Sequence, residues 1–169
     1  MIMLKATRHF LLAVLVGLCS FSCTKTPVDS DNPTPSAGLQ AMRASFGSLA
    51  GEWVLTNYKN QPLAPTLQNR ATLVLKKQTD ETLEAGGRSF VNYYGGSFSL
   101  DESKGLVIST NGLISTKMAG SAEDMQAETT YYNNLEKAIY FELANTGQLL
   151  LYIGPKGDAS TEVLYFSKK

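Results

Sequence analysis

The sequence predicts an α+β fold that is mainly β. The expected form is an antiparallel curled sheet or cracked barrel, with one helix between the early strands and a C-terminal three-strand meander. Three observations carry this. Short runs rich in β-branched and aromatic residues alternate with turns holding Gly, Pro, Asn or Asp. One stretch after Ser121 changes to helical spacing. Three more apolar runs then close the chain. The 169 residues, 43% apolar and 18% charged, fit one globular domain. Lys+Arg and Asp+Glu number 15 each, and no basic patch able to neutralise phosphates is visible, so nucleic-acid binding is not expected.

The first residues read as an export signal. Lys5 and Arg8 lie in a short n-region, and "FLLAVLVGL" (10–18) is an apolar run. It is too short to span a bilayer, which takes about 20 apolar residues. Cys19 and Cys23 follow and are the only cysteines. Cys19 comes after the bulky Leu18, Cys23 after the small Ser22 in "SFSC", so Cys23 is the preferred lipidation site. The stretch resembles a bacterial lipobox, except that Ser20 stands where Leu is commonest. Cys19, or a secreted protein with a free thiol, are the alternatives. An exposed thiol in an oxidising compartment is a liability, and acylation removes it. The expected organisation is a signal peptide over 1–22, a lipidated cysteine and flexible tether over 23–47, and a folded domain over 48–169. The Pro-, Ser- and Asp-rich 24–38 has little to bury. Leu39–Ser48 is compatible with a short helical turn.

In the domain, "EWVLTNYK" alternates: Trp53, Leu55 and Asn57 on one side, Val54, Thr56 and Tyr58 on the other. "NQPLAP" is a loop, and "ATLVLKK" a second strand with Leu73 and Leu75 on one face. "RSFVNYYGGSFSL" holds two short strands around Gly95–Gly96, and "AGGRS" is expected as a turn or bulge. "GLVIST" and "LISTK" flank Asn111–Gly112, a strong hairpin signal because both residues must take positive φ. Ser121 is a good N-cap, with Glu123 and Asp124 in the first helical turn, where the dipole favours carboxylates. Met125, Tyr132, Leu135 and Ile139 recur at near-heptad spacing and form its expected apolar stripe. "AIYFELAN", "QLLLYIG" and "TEVLYFSK" are the meander, turning at Thr146–Gly147 and Pro155–Gly157.

Little catalytic chemistry fits. The only histidine is His9, inside the signal segment, so His-based nucleophilic triads are excluded from the folded domain. Zinc sites, built largely from His and Cys, go with them, and no metal or other cofactor is expected. The acidic pairs Asp80–Glu81 and Asp101–Glu102 fall in turns and Glu123–Asp124 at a helix start, which suits solvation and the helix dipole better than glycoside hydrolysis. Ser115 and Lys117 are two apart and would share a strand face, which makes a Ser/Lys hydrolase the weakest of three functional readings. Their spacing differs from S-x-x-K, and no K-T-G or S-D-N follows. The eight tyrosines suit core and cross-strand pairs better than a stacking surface.

Four segments in order, "LAGEWVL" (49–55), "VNYYGGSF" (91–98), "ISTKMAG" (114–120) and "QAETTYYNNLEKAIYFELANTGQLLLY" (126–152), together resemble the META domain. That family includes bacterial envelope lipoproteins related to a heat-shock protein linked with antibiotic tolerance. Its usual form is G-C-N-x-Y followed by S-T-x-M-A-C. Asn92, Tyr94, Gly96, Ser115, Thr116, Met118 and Ala119 match, while Val91 and Gly120 occupy the two cysteine positions. Their joint loss is what a pairing between them would imply, and about 2–4 kcal/mol of cross-link stabilisation would then be offset elsewhere. The resemblance implies a small antiparallel sheet or cracked barrel with one helix. It implies an envelope location and no established enzymatic activity.

The expected function is therefore that of a non-catalytic envelope lipoprotein, a binding or structural module with a role in envelope stress tolerance. Its expected partners are the membrane, through the lipid on Cys23, and an unidentified envelope protein or small molecule. Thr24 stands where an aspartate would retain the protein at the inner membrane, which favours the outer membrane of a Gram-negative bacterium. The alternative is a lipocalin-like barrel holding a small apolar ligand, marked by the G-x-W of Gly51 and Trp53. The helix placed before three strands argues against it.

Overall fold

The computed structural model describes residues 37–144 and 146–169. The signal segment and Cys23 lie outside the described residues. The sheet has nine strands: β1 (Gly51–Tyr58), β2 (Thr72–Lys77), β3 (Thr82–Arg88), β4 (Tyr93–Asp101), β5 (Gly105–Ile108), β6 (Ile114–Ser115), β7 (Tyr140–Ala144), β8 (Gln148–Tyr152) and β9 (Val163–Lys168). Helices α1 (Ala37–Phe46) and α2 (Ala122–Glu136) complete the fold. Among the described residues no helix is long and apolar enough to cross a membrane.

Strand order is β5-β4-β3-β2-β1-β9-β8-β7, with β6 paired to β4, and every pairing is antiparallel. β1 therefore joins the early strands to the meander by pairing with the last strand. The two ends of the sheet curl toward each other, and the Leu106 amide donates to the Ile139 carbonyl at 2.9 Å. The fold class is as expected: mainly β, nearly closed, with α2 between the early strands and the meander. The interior is a single apolar cluster including Leu55, Leu73, Leu83, Phe98, Tyr131, Leu135, Phe141, Leu149 and Phe166. Side chains fill the space that a lipocalin-like barrel keeps for its ligand.

Several elements differ from expectation, each for a physical reason. Residues 37–47, assigned to the tether, are folded: α1 buries Leu39, Met42 and Phe46 in the core, and Phe46 packs on Phe141 at 6.1 Å between ring centroids. Three apolar residues at helical spacing suffice to dock ten residues. In β1, Trp53 and Leu55 face the core as expected, but Tyr58 joins them. A β-bulge lies between Leu55 and Asn57, opposite Phe166 and Tyr165. The extra residue inverts the alternation after it.

Gly86–Gly87 is no turn, since both glycines lie within β3, opposite Gly95 and Tyr94. Nor do Gly95–Gly96 divide two strands, since β4 runs through them unbroken. The flanks of Asn111–Gly112 do not pair with each other. β5 and β6 both pair with β4, against Phe98–Asp101 and Tyr94–Gly95 respectively, so the 109–113 turn shifts the chain along β4. The buried stripe of α2 is Ala127, Glu128, Tyr131 and Leu135, while Met125 is exposed. Ile139 is also exposed and lies beyond the helix, where its amide donates to Tyr152 O. Ser121 caps α2 as expected, accepting from the Asp124 amide at 3.1 Å.

Candidate functional site

Three of the four motif segments meet at one corner, where the Ser89–Asn92 turn, the 114–120 segment and the first half of α2 converge. The turn is tight, with the Ser89 amide donating to Asn92 O at 2.8 Å. At its centre is Glu128, only 4% exposed. One carboxylate oxygen accepts from the Ser89 hydroxyl, the Val91 amide (3.1 Å) and the Asn92 amide (2.7 Å). The other accepts from Asn92 Nδ2 at 2.6 Å. Burial pushes the Glu128 carboxyl up, but the Ser89, Asn92 and Val91 donors outweigh it, so it lies below the ordinary glutamate value. The group is an ionised, buried anchor that holds four donors of the turn.

Asn92 carries the connection onward. Its Oδ1 accepts from the Thr116 hydroxyl at 2.8 Å and the Met118 amide at 2.6 Å. Thr116 Oγ1 accepts in turn from the Tyr93 amide. The asparagine thus ties the segment after β6 to the turn, and the turn to α2. Beside it runs a second polar chain. The Tyr131 hydroxyl meets that of Tyr94 at 2.7 Å, and Tyr94 donates to Thr72 O at 2.8 Å. Burial is the main cause that raises both phenols, so they stay neutral. Tyr132 donates to Ser89 Oγ at 3.0 Å. Outside, Arg70 pairs with Asp124 at 2.6 Å and donates to Phe90 O at 3.3 Å.

The motif residues now have places. Asn92 and Tyr94 are buried in this network. Thr116 holds its edge, and Ser115 and Met118 lie exposed on the 114–120 segment. Ser115 and Lys117 are both exposed, and no hydrogen bond joins them among the described residues. Gly96 sits where a Cβ would fall 2.0 Å from Ser109 Oγ, so only glycine lets the β5–β6 turn close on β4. Gly51 opens β1 at φ 145°. Trp53 is buried in the core, away from this corner. Sequence reasoning missed Glu128, Ser89 and the Tyr94–Tyr131 pair. The available signal was the 127, 131, 135 periodicity, which places Glu128 on the buried face.

Val91 and Gly120 are in contact. A Cβ on Gly120 would lie 2.6 Å from Val91 Cγ2 and 3.3 Å from Cγ1. Val91 Cβ is no nearer than 3.5 Å, the distance of the third-nearest atom. It is within about 4.1 Å, since a C–C bond adds about 1.5 Å. That interval lies inside the disulfide range for Cβ separations. Gly120→Cys alone should destabilise through the clash, whereas oxidised Val91→Cys/Gly120→Cys should gain about 2–4 kcal/mol over its reduced form. Urea unfolding with and without reductant checks this, and equal midpoints would refute the pairing geometry.

The META domain family model matches residues 47–169. No curated protein matches the chain. A solved structure similar to this chain is the NMR structure of a protein from Burkholderia xenovorans. It shows 25% identity and a TM-score of 0.57, and the match covers 86% of this chain and 97% of that one. The matched span takes in the sheet, α2 and the corner built around Glu128, and on that ground the chain belongs to the META domain family.

Proposed function

We propose that this protein is a non-catalytic lipoprotein of the cell envelope, anchored through Cys23 in the outer membrane. Its META domain acts there as a binding or structural module in envelope stress tolerance. One observation carries the binding role: the 114–120 corner turns large apolar side chains to solvent. Tyr93 is 57% exposed, Ile114 79% and Met118 46%. Exposed apolar groups held on a fixed backbone mark interaction surfaces. The backbone here is fixed, because Ile114 and Ser115 pair with β4 and the Thr116 amide donates to Tyr93 O at 3.0 Å. The enclosure of Glu128 and the lack of histidine after His9 support a role without catalysis.

The test places a photo-crosslinking residue at Ile114, with Ser160 as an exposed control, in the full chain and in its Cys23→Ala variant. Crosslinks to an envelope component should form at Ile114 and not at Ser160. Cys23→Ala should leave the membrane fraction and lose them. Continued sedimentation of Cys23→Ala with membranes would sink the anchor, and equal adducts at both positions would sink the corner as a binding face.

A further inference from the structure

The corner's exposed side chains share one face of the sheet, and the register shows why they stand clear of it. Tyr93 and Gly95 lie two apart on β4, with Ile114 opposite Gly95 and Thr116 bonded beside Tyr93. On β3, Arg88 lies opposite Tyr93 and Gly86 opposite Gly95. Two glycines therefore flank Ile114 and offer it no side chain to lie on. Among the described residues it is the most exposed large apolar group. Met118 follows on the same segment.

Basic groups frame these side chains. The Arg88 guanidinium lies 6.0 Å from the centroid of the Tyr93 ring, and Lys117 stands exposed between Thr116 and Met118. Among the described residues neither cation has an ion pair. The corner's carboxylates are engaged elsewhere. Glu128 is enclosed, Asp124 is paired with Arg70, and Glu136 accepts from the Leu113 amide at 2.9 Å. Protruding apolar groups framed by free cations are complementary to an anionic lipid surface. A folded partner would need a matching pocket for each protrusion, whereas a bilayer yields around them.

The chain is long enough for this contact. α1 meets the far end of β4, where Arg43 pairs with Glu102. From there to Tyr93 the strand covers about 27 Å. From Cys23 to Ala37 the chain reaches at most about 50 Å.

We propose that the Tyr93, Ile114 and Met118 face docks directly on an anionic phospholipid bilayer, with Arg88 and Lys117 on the headgroup phosphates. This rests on the reading of the corner as a binding face and names its partner. The contact is weak and reversible, too weak to hold an unanchored chain on membranes through washing. The lipid on Cys23 keeps the domain near the bilayer, and the corner sets which side faces it.

The test uses residues 24–169, which hold every described element and the whole core, so the anchor does not enter the measurement. Vesicles of phosphatidylcholine alone, and of phosphatidylcholine with phosphatidylglycerol, are titrated to millimolar lipid. The chain should partition onto the anionic vesicles only, and less as salt rises. Arg88→Gln/Lys117→Gln should weaken partitioning roughly 25-fold, about fivefold for each cation. Ile114→Ser/Met118→Ser should weaken it at least tenfold. Lys104→Gln/Lys169→Gln, which removes two exposed cations elsewhere, should change it little. In Ile114→Trp, brominated lipid should quench the new indole and leave Trp53 bright. Equal binding to neutral vesicles, no binding to either, or parent-like binding by the two corner variants would overturn the proposal. If vesicles fail but the Ile114 crosslinker captures a protein, the lipid partner falls and the binding face stands. If both fail, the binding face falls with it.

Discussion

Glu128→Ala should lower the unfolding free energy by about 3–5 kcal/mol, a large share of the roughly 5–15 kcal/mol that holds a domain of this kind. The change removes the acceptor for four donors at once. Three have weaker, neutral fallbacks. Ser89 Oγ reaches Asn92 O at 2.8 Å, the Asn92 amide reaches Ser89 Oγ at 3.2 Å, and Asn92 Nδ2 reaches Met118 O at 3.3 Å. The Val91 amide has none and becomes a buried orphan. Hydrogen bonds to a charged acceptor contribute about 1.5–3 kcal/mol each, so fallbacks to neutral oxygens recover only part. Urea unfolding followed by the fluorescence of the single tryptophan should show a lower midpoint with an unchanged slope. A loss below about 1 kcal/mol would mean that water replaces the carboxylate and that the anchor is dispensable.

The same group sets an acid limit. Its folded pKa lies below the ordinary value, so the unfolded chain takes up the proton first as pH falls. Glu128's contribution is fully present above the unfolded glutamate pKa of about 4.3 and is lost as pH falls through the lower folded value. Other depressed carboxylates, such as Asp101 and Glu142, titrate in the same range. The informative quantity is therefore the stability gap between the parent chain and Glu128→Gln. It should be constant near neutrality and shrink below about pH 4. A gap independent of pH would show that Glu128 is held neutral.

Local sequence made part of this legible. Strands β1 and β2 and the meander were visible because alternation and turn residues are short-range signals, and the N-cap at Ser121 was visible for the same reason. What escaped depends on partners distant in sequence. The bulge that turns Tyr58 inward exists because β9 pairs with β1, more than a hundred residues away. Gly86–Gly87 and Gly95–Gly96 look like turns, and they are strand residues because β3 and β4 pair through them, Gly86 opposite Gly95, Gly87 opposite Tyr94 and Gly96 opposite Ala85. Glu128 looks like one more solvated helix charge until the Ser89–Asn92 turn is placed over it. The motif pointed to the right corner through Asn92, Tyr94 and Thr116, but the residue that organises the corner lay outside the short motif strings.

Trp53→Ala should cost about 3–5 kcal/mol and should also loosen α1, which a simple cavity would not do. The indole is buried on the most central strand pair, opposite Leu73 on β2 and Lys168 on β9. Its Nε1 donates to Leu49 O at 2.8 Å, and Leu49 belongs to the short 3-10 turn that links α1 to β1. Truncation therefore removes core volume and also leaves a buried carbonyl without its side-chain donor. The second loss falls on the segment that holds α1 against the barrel. Far-UV circular dichroism must follow the unfolding, since the variant has no tryptophan. Hydrogen exchange separates the two effects: amides of Leu39–Phe46 should lose protection ahead of those in β8 and β9. Trp53→Phe keeps most of the apolar volume and removes only the donor, so it should cost about 1–2 kcal/mol while still speeding exchange in α1. If Trp53→Ala lost stability but α1 exchanged no faster than the sheet, the helix would be held by its own Leu39, Met42 and Phe46 contacts. The indole bond would then be incidental to the docking of that segment.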